Sequence, residues 1–514
     1  SYEFNDTDYD ICRTQLRVYL DQYDDVPYTV LRLLTAYINY GGRITDDKDM
    51  RTAEVIMNLF YNEDVLKEGY EFSESGLYVN PEYDESDPYQ SYVDSIAALP
   101  LNAEPEVFGM HDNANITCAQ NETYGMFDVL LSLQPRSSGG NSDGNAGPTR
   151  EEIICAAAKD IEDSIPLPFD EEAVEMAFPV MYEESMNTVL VQECKRFNRL
   201  LRVMSKTLFE VQRALKGLAV MSGDLESLAN SISDQKVPEM WVAVAYPSLK
   251  PLLAWCADLL ARLKFLRDWI DGGTPKAFWV SGFFFPQAFV TGTRQNYARK
   301  MQLAIDTISF DYLAKDGAYV CGGREGVCMM CWSFLFVFVL CSHDTCFTNP
   351  TATLAPCPGP PFFIALLFHV FSLSAITDFS PNGDDIDAKP EDGCYIYGLF
   401  LEAARWDNST HHLTDPLPKE LYSQMPVLHL QPVKDRPITL SGVYHCPVYK
   451  ELLRAGMLST TGHSTNFVMW VELPSGTESI FRKSLVSETN MQVSFADSDK
   501  WCRAGVAAFC ALRY

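Results

Sequence analysis

Apolar residues recur every seven positions at Phe197, Met204, Val211, Leu218, Leu225 and Ile232. Cys194, Leu201, Leu208 and Leu215 stand three positions before the first four of them. A repeat of this kind demands an α-helix with one continuous apolar seam. It predicts a single helix over residues 185–233, about 70 Å long at 1.5 Å per residue. Such a seam can close against a second copy as a coiled coil, or against the rest of its own domain. Ser222 and Ala229 weaken one row of the seam, and Gly217 and Gly223 interrupt the helix. The pattern therefore favours burial within the same domain, with Phe197, Met204, Val211 and Leu218 facing the core.

Around this seam the sequence changes texture from end to end. A length of 514 residues exceeds what one core can hold, so two to four domains are expected. Residues 7–62 suit two or three short helices. Pro27 fits the first turn of one that stops at Gly41-Gly42, and Thr45, Asp46 and Asp47 start the next. Residues 63–105 read as long loops with a short helix near residues 91–98. Residues 134–150, rich in Gly, Ser and Asn, form the clearest flexible loop. A second long helix is expected over residues 249–270, closed by Gly272-Gly273. Phe278, Trp279, Phe283, Phe284, Phe285 and Phe289 could line a ligand box, but a buried aromatic core is the simpler reading. From residue 393 short alternating runs with turn residues between them predict strands over 394–400, 427–430, 443–446, 467–473 and 506–512. The fold class is α+β: a helical unit, a helical subdomain with one long helix, then a small, mostly antiparallel, barrel-like β unit.

The formal net charge of −29 opposes any partner that is itself polyanionic. It argues against nucleic acid, which needs a basic face, and against a direct grip on another acidic surface. Ser1-Tyr-Glu-Phe-Asn-Asp6 carries no secretory leader and no initiator Met, so an N-terminal part is expected to be missing. The fifteen cysteines then read as reduced thiols rather than a disulfide framework.

Residues 317–376 break every trend. Their charged side chains are Arg324, Glu325 and Asp344, and they hold Cys321, Cys328, Cys331, Cys341, Cys346 and Cys357. Zinc ligation by Cys328, Cys331, Cys341 and Cys346 is disfavoured by spacing and by bulky apolar neighbours. A membrane hairpin is disfavoured because the apolar runs 327–341 and 362–376 fall short of the ~20 residues a spanning helix needs. The favoured reading is translated intron, with Phe-, Leu- and Ser-rich residues 362–374 resembling a pyrimidine-rich tract.

No known catalytic signature is present. A phosphate-cradling loop needs closely placed glycines followed by Lys and Ser or Thr. Gly41-Gly42-Arg43 and Gly322-Gly323-Arg324 lack both the spacing and the lysine. His411 and His412 are adjacent, so their side chains diverge. His463 is the best isolated candidate base, but turn formers surround it. Asp46, Asp47 and Asp49 could hold a cation, yet helix capping accounts for the first two. No catalytic, cofactor-binding or metal-binding residue is assigned, and no membrane or nucleic-acid partner is expected.

Five unusual peptides are spread along the sequence: Tyr40-Gly-Gly-Arg-Ile-Thr-Asp-Asp47, Phe108-Gly-Met-His-Asp-Asn-Ala-Asn-Ile-Thr117, Tyr182-Glu-Glu-Ser-Met-Asn-Thr-Val-Leu-Val-Gln-Glu193, Phe278-Trp-Val-Ser-Gly-Phe-Phe-Phe-Pro-Gln-Ala288 and Ser459-Thr-Thr-Gly-His-Ser-Thr-Asn466. In this order they resemble the C-terminal end of a dynein heavy chain, closest to axonemal, inner-arm types. The resemblance implies a helical AAA+ lid of the sixth module (1–105), the helical part of the dynein C-terminal domain (106–312), a connection holding the anomalous insertion (313–392) and a β-rich part (393–514). It implies a ring-closing, regulatory segment of a ciliary, cytoskeletal motor ATPase, with no nucleotide site here and with ATP and Mg²⁺ held in other modules. The implied partners are the rest of the ring, the intermediate, light intermediate and light chains, and the microtubule only through a stalk outside this segment. Lys48, Met50, Ala403 and Ala504 depart from the family pattern, Ala403 standing where glycine is usual. The alternative is an independent cytoplasmic scaffold that binds partners through the heptad helix 185–233.

Overall fold

The computed structural model describes residues 4–67, 69–73, 75–81, 88–133, 149–314, 386, 388–434, 442–454, 465–475 and 496–513. Insertion 317–376, most of loop 134–150 and His463 lie outside the described residues.

Helix α1 (Asp6–Gln22) starts from Asn5 in a reciprocal capping box with Asp8. Helix α2 (Tyr28–Leu33) follows Pro27 and runs on through a π-turn at Leu34–Asn39. Asp46 caps α3 (Asp47–Phe60), with Asp47 and Asp49 at the positive end of the helix dipole. Then come α4 (Pro88–Ala98), α5 (Asn113–Leu133), α6 (Arg150–Ser164) and α7 (Glu171–Ala177).

The heptad seam is divided between two helices. Helix α8 (Ser185–Leu215) ends where Gly217 turns left-handed at φ +73. The N–H of Leu218 reaches back to Arg213 O at 2.8 Å, satisfying a terminal carbonyl. Ser222 then caps α9 (Gly223–Ser233). Gly217 alone accepts that backbone without strain, so the repeat continues in the sequence while the helix does not. Leu218, expected in the core, is 66% exposed. Phe197, Leu201, Met204, Leu208 and Val211 are buried against α6, α7, α9, α11 and α12 of the same molecule, these last two helices being α11 (Leu252–Gly272) and α12 (Pro286–Met301). No open seam is left for a coiled-coil partner, and the scaffold alternative loses its binding face.

Between α9 and α11 lies α10 (Glu239–Val242), and α13 (Ala496–Arg503) stands near the end. Two strands fall inside the region expected to be helical: β1 (Ala277–Trp279) and β2 (Ile308–Ala314). Strand β2 buries Ile308, Phe310, Tyr312 and Ala314 in strict alternation, a period-2 signal hidden within an aromatic stretch. Next come β3 (Cys394–Tyr397), β4 (Phe400–Glu402), β5 (Arg405–Asp407), β6 (His412–Thr414), β7 (Tyr422–Gln424), β8 (Leu428–Lys434), β9 (Val443–Tyr449), β10 (Phe467–Pro474) and β11 (Ala507–Phe509). The strand expected over 394–400 is split by Gly398 at φ +87.

The sheets run β1-β3-β8-β2 and β10-β9-β11-β4-β7, with β5-β6 as a separate ribbon. Pairing is antiparallel except β1 with β3 and β11 with β9. Among the described residues neither sheet closes on itself, so the β unit is two open sheets rather than a barrel. One apolar core runs from Val55 of α3 through the helices and into both sheets. The aromatic stretch is part of it. Phe278 and Phe283 lie 4.8 Å and 4.7 Å from Phe289, with Trp269 5.3 Å from Phe278. Such pairs add about 0.5–1.5 kcal/mol each beyond area burial.

Candidate functional site

Four of the five sequence peptides are joints between elements. In the 108–117 peptide, Gly109 is left-handed, and a Cβ there would come within 3.0 Å of Arg503 Cβ. Asn113 donates to the carbonyls of Leu417 (2.9 Å) and Glu420 (3.0 Å) and accepts from Lys419 N (2.7 Å). One buried amide thus pins the start of α5 to a loop of the β-rich half. In the 182–193 peptide, Ser185 N donates to Asn296 Oδ1 (2.7 Å), and Ser185 Oγ donates to Gln295 Oε1 (2.9 Å), which locks α8 to α12.

Glu193, fully buried, accepts from the backbone N–H groups of Phe284 and Phe285 and from Arg196. Burial pushes its carboxyl above the ordinary range, against the pull of those amides and the guanidinium. In the 278–288 peptide, Ser281 Oγ donates to Gly398 O (2.8 Å) and contacts Cys510 O, tying the segment after β1 to the end of β11. A Cβ at Gly393 would sit 1.9 Å from Leu430 O, so close strand approach demands glycine there.

The 40–47 peptide leads into the junction between the N-terminal helices and the β-rich half. Lys48 is only 4% exposed. Its ammonium donates to Asp46 Oδ1 and Asp47 Oδ1, both at 3.0 Å, and lies 4.1 Å from the Phe467 ring centre and 5.4 Å from that of Trp470. One turn on, Arg51 donates to His445 O (3.0 Å) and Tyr444 Oη (3.4 Å), with its guanidinium 5.2 Å from the Trp470 ring. Tyr444 Oη in turn donates to Val506 O (2.6 Å). Thr52 Oγ1 meets Cys502 Sγ at 3.6 Å, and α13 packs along α3. Two cations thus press one face of α3 onto the aromatic face of β9 and β10. Desolvated cation–π contacts of this kind contribute up to about 2 kcal/mol each. Asp46 and Asp47 already hold a lysine ammonium, and Asp46 caps the helix.

A family model described as the dynein heavy chain AAA lid domain matches residues 1–114. Another, for the C-terminal domain of dynein heavy chains, matches residues 120–322 and 368–510. The protein belongs to the dynein heavy chain family. It is 44% identical to rat dynein axonemal heavy chain 1 over 515 residues, a match that spans 100% of this chain and 9% of that protein. It is 39% identical to mouse dynein axonemal heavy chain 3 over 511 residues, and 37% identical to mouse dynein axonemal heavy chain 12 over 512 residues; each match spans 99% of this chain, and 10% and 14% of those proteins respectively. The chain therefore spans about a tenth of the length of the relatives it matches first. Residues 323–367, inside the anomalous insertion, fall outside both stretches of the C-terminal domain match.

Against this dynein background the departures acquire physical meaning. Ala403 has φ +62, so alanine occupies a backbone state that costs L-residues roughly 1–2 kcal/mol. Lys48 keeps aromatic neighbours through its charge. Burial pushes the thiols of Cys194, Cys394, Cys446 and Cys510 up to about 12. Among the described residues no three His, Cys, Asp or Glu side chains converge as metal ligands. No helix among them is long and apolar enough to cross a membrane. His411 sits left-handed at φ +57 beside the β5–β6 ribbon. Arg51 and Tyr444 lie outside the five peptides, and Asn113 lies within one of them. Arg51 meets partners nearly 400 residues away, a distance no local pattern reports.

Proposed function

We propose that this chain acts as the ring-closing and regulatory C-terminal segment of an axonemal dynein heavy chain. It contributes to ATP-driven, minus-end-directed microtubule motility in the axoneme of cilia or flagella and holds no nucleotide itself. ATP and Mg²⁺ belong to other modules of the parent motor. Its direct partner is the rest of the heavy-chain ring. The intermediate, light intermediate and light chains join through the parent complex, and the microtubule is reached only through the stalk. The division into a lid (1–105), a helical part (106–312), a connection (313–392) and a β-rich part (393–514) belongs to this reading.

The observation that carries it is the Lys48–Arg51 junction inside a chain matched along its length to axonemal heavy chains. A lid fastened to the C-terminal domain can pass strain between ring and domain without chemistry of its own. The test is a full-length heavy chain with Lys48→Ala and Arg51→Ala. Microtubule gliding velocity is expected to change while nucleotide binding in the ring persists. Unchanged velocity with a loosened lid would contradict the regulatory role. Micromolar ATP binding to this chain alone, competed by ADP in calorimetry, would contradict the absence of a nucleotide site.

A further inference from the structure

We propose that the solvent face of α8 docks an acidic helix of a partner protein. The apolar seam of α8 is spent on the core, and the opposite face carries a second line of its own. Lys195, Arg199, Arg202, Lys206, Phe209 and Arg213 follow one another at alternating steps of four and three residues, and all of them are exposed. That alternation sets side chains in one straight row along a helix. The row is about 27 Å long at 1.5 Å per residue. Phe209, 54% exposed, is its apolar member, and the Arg213 guanidinium lies 5.6 Å from its ring centre.

The row stands out against the molecule that carries it. The protein has 69 acidic residues against 40 basic ones, yet cations fill every place of the row but that of Phe209. Of the two carboxylates on α8, Glu193 is buried and held by the Phe284 and Phe285 amides, and Glu210 approaches Lys206 at only 4.0 Å. Helix α7 supplies Glu175 to Lys195 and Glu171 to Arg202, both at 2.6 Å, while Glu162 of α6 is turned onto Gln212. Exposed pairs of this kind are weak and open to exchange for a partner's carboxylates. Arg199 and Arg213 have no ion pair among the described residues. In a molecule with so many carboxylates, cations left without one along a straight row point to carboxylates supplied from outside.

The spacing also decides the shape of the ligand. Side chains on one face of a partner helix recur every ~5.3 Å, matching the row. An extended segment presents them every ~6.7 Å and falls a whole place out of step after about four. A second copy of this chain would set cation against cation, so the row does not serve self-association. The net charge of −29 repels a membrane or a nucleic acid as a whole. A single helix lying on the row feels chiefly the charges within a screening length of about 8–10 Å. The ligand is thus a helix with glutamates at the matching spacing and one apolar side chain over Phe209.

The test is fluorescence anisotropy on the full chain with a labelled helical peptide that carries glutamates at alternating four- and three-residue steps and one central leucine. Saturable binding that weakens with salt is expected. The double variant Arg199→Gln/Arg213→Gln should lower affinity roughly tenfold, the size of two exposed ion pairs. Phe209→Ala should lower it severalfold. These side chains are exposed and make no hydrogen bond among the described residues, so the variants keep the fold. A peptide of the same composition with the spacing scrambled should bind severalfold more weakly. No saturable binding, binding indifferent to both variants, equal binding of the scrambled peptide, or stronger binding of phosphatidylserine vesicles or single-stranded RNA through the same residues would overturn the proposal.

Discussion

Helix α1 of the lid and helix α8 of the C-terminal domain are both amphipathic, yet they are held in opposite ways. Helix α8 buries its seam from Met186 to Val211 inside the common core. Helix α1 buries only Asp8 and Cys12 and leaves Tyr9, Ile11, Val18 and Leu20 open. Its long-range contacts are polar: Asn39 Nδ2 donates to Gln15 Oε1 at 2.7 Å, and Arg43 pairs with Asp8 at 3.3 Å. The C-terminal domain thus holds itself together by burial, whereas the lid is fastened at α3. Stability of the domain and position of the lid are separable properties.

The largest expected effect lies in the C-terminal domain. Asp258 on α11 accepts from Lys250 Nζ and Arg262 Nε, both at 2.6 Å, and all three side chains are largely removed from solvent. Asp258→Ala strands two cations and should cost about 3–5 kcal/mol in a denaturant titration. Burial pushes the Asp258 carboxyl up, but Arg262 and Lys250 outweigh it and hold it below the ordinary range. A depressed folded value means this stabilisation is present above the unfolded carboxyl's range and is lost as pH falls through the folded value. Wild type should lose it on acidification, and Asp258→Ala should lack that part of the pH dependence.

The second prediction sets the two helices against each other directly. Met204→Ala in the seam should cost about 2–5 kcal/mol, and Leu20→Ala on α1 within about 0.5 kcal/mol. Equal losses would erase the distinction. Smaller still, Ala403→Gly should stabilise by about 1 kcal/mol, because it relieves the left-handed strain. A lower melting temperature would mean the alanine methyl does more in packing than its backbone costs.

The smallest effect is expected from removing residues 317–376. Strand β2 ends at Ala314 opposite Leu428, and β3 begins at Cys394 opposite Leu430, with β8 between them. Two strand spacings are about 10 Å, which a short connection spans. Closing a longer loop costs only about 0.6 kcal/mol per doubling. Deletion should leave the denaturation midpoint nearly unchanged and improve solubility; unfolding on deletion would make the segment a structural element.

How much of this was legible follows from the range of each signal. Helix starts at Asp46 and the stop after Gly272 were readable because caps act within one turn. Heptad spacing predicts one helix over 185–233 because the spacing survives a break that Gly217 and Ser222 impose locally. Strand β1 is three residues long and carries no period. The peptides of the candidate site were visible as unusual, but their work was not. Asn113, Glu193 and Ser281 join elements far apart in the sequence, and those partners exist only once it has folded.

Helix α3, through Lys48 and Arg51, fastens the lid to a C-terminal domain whose core is centred on α8 and α11. Hydrogen–deuterium exchange on the Lys48→Ala/Arg51→Ala double variant tests this most directly. Amides of α1, α2 and α3 are predicted to lose protection, while those of α8 and α11 keep theirs. Unchanged exchange in α3, or an equal loss in α8, would contradict it.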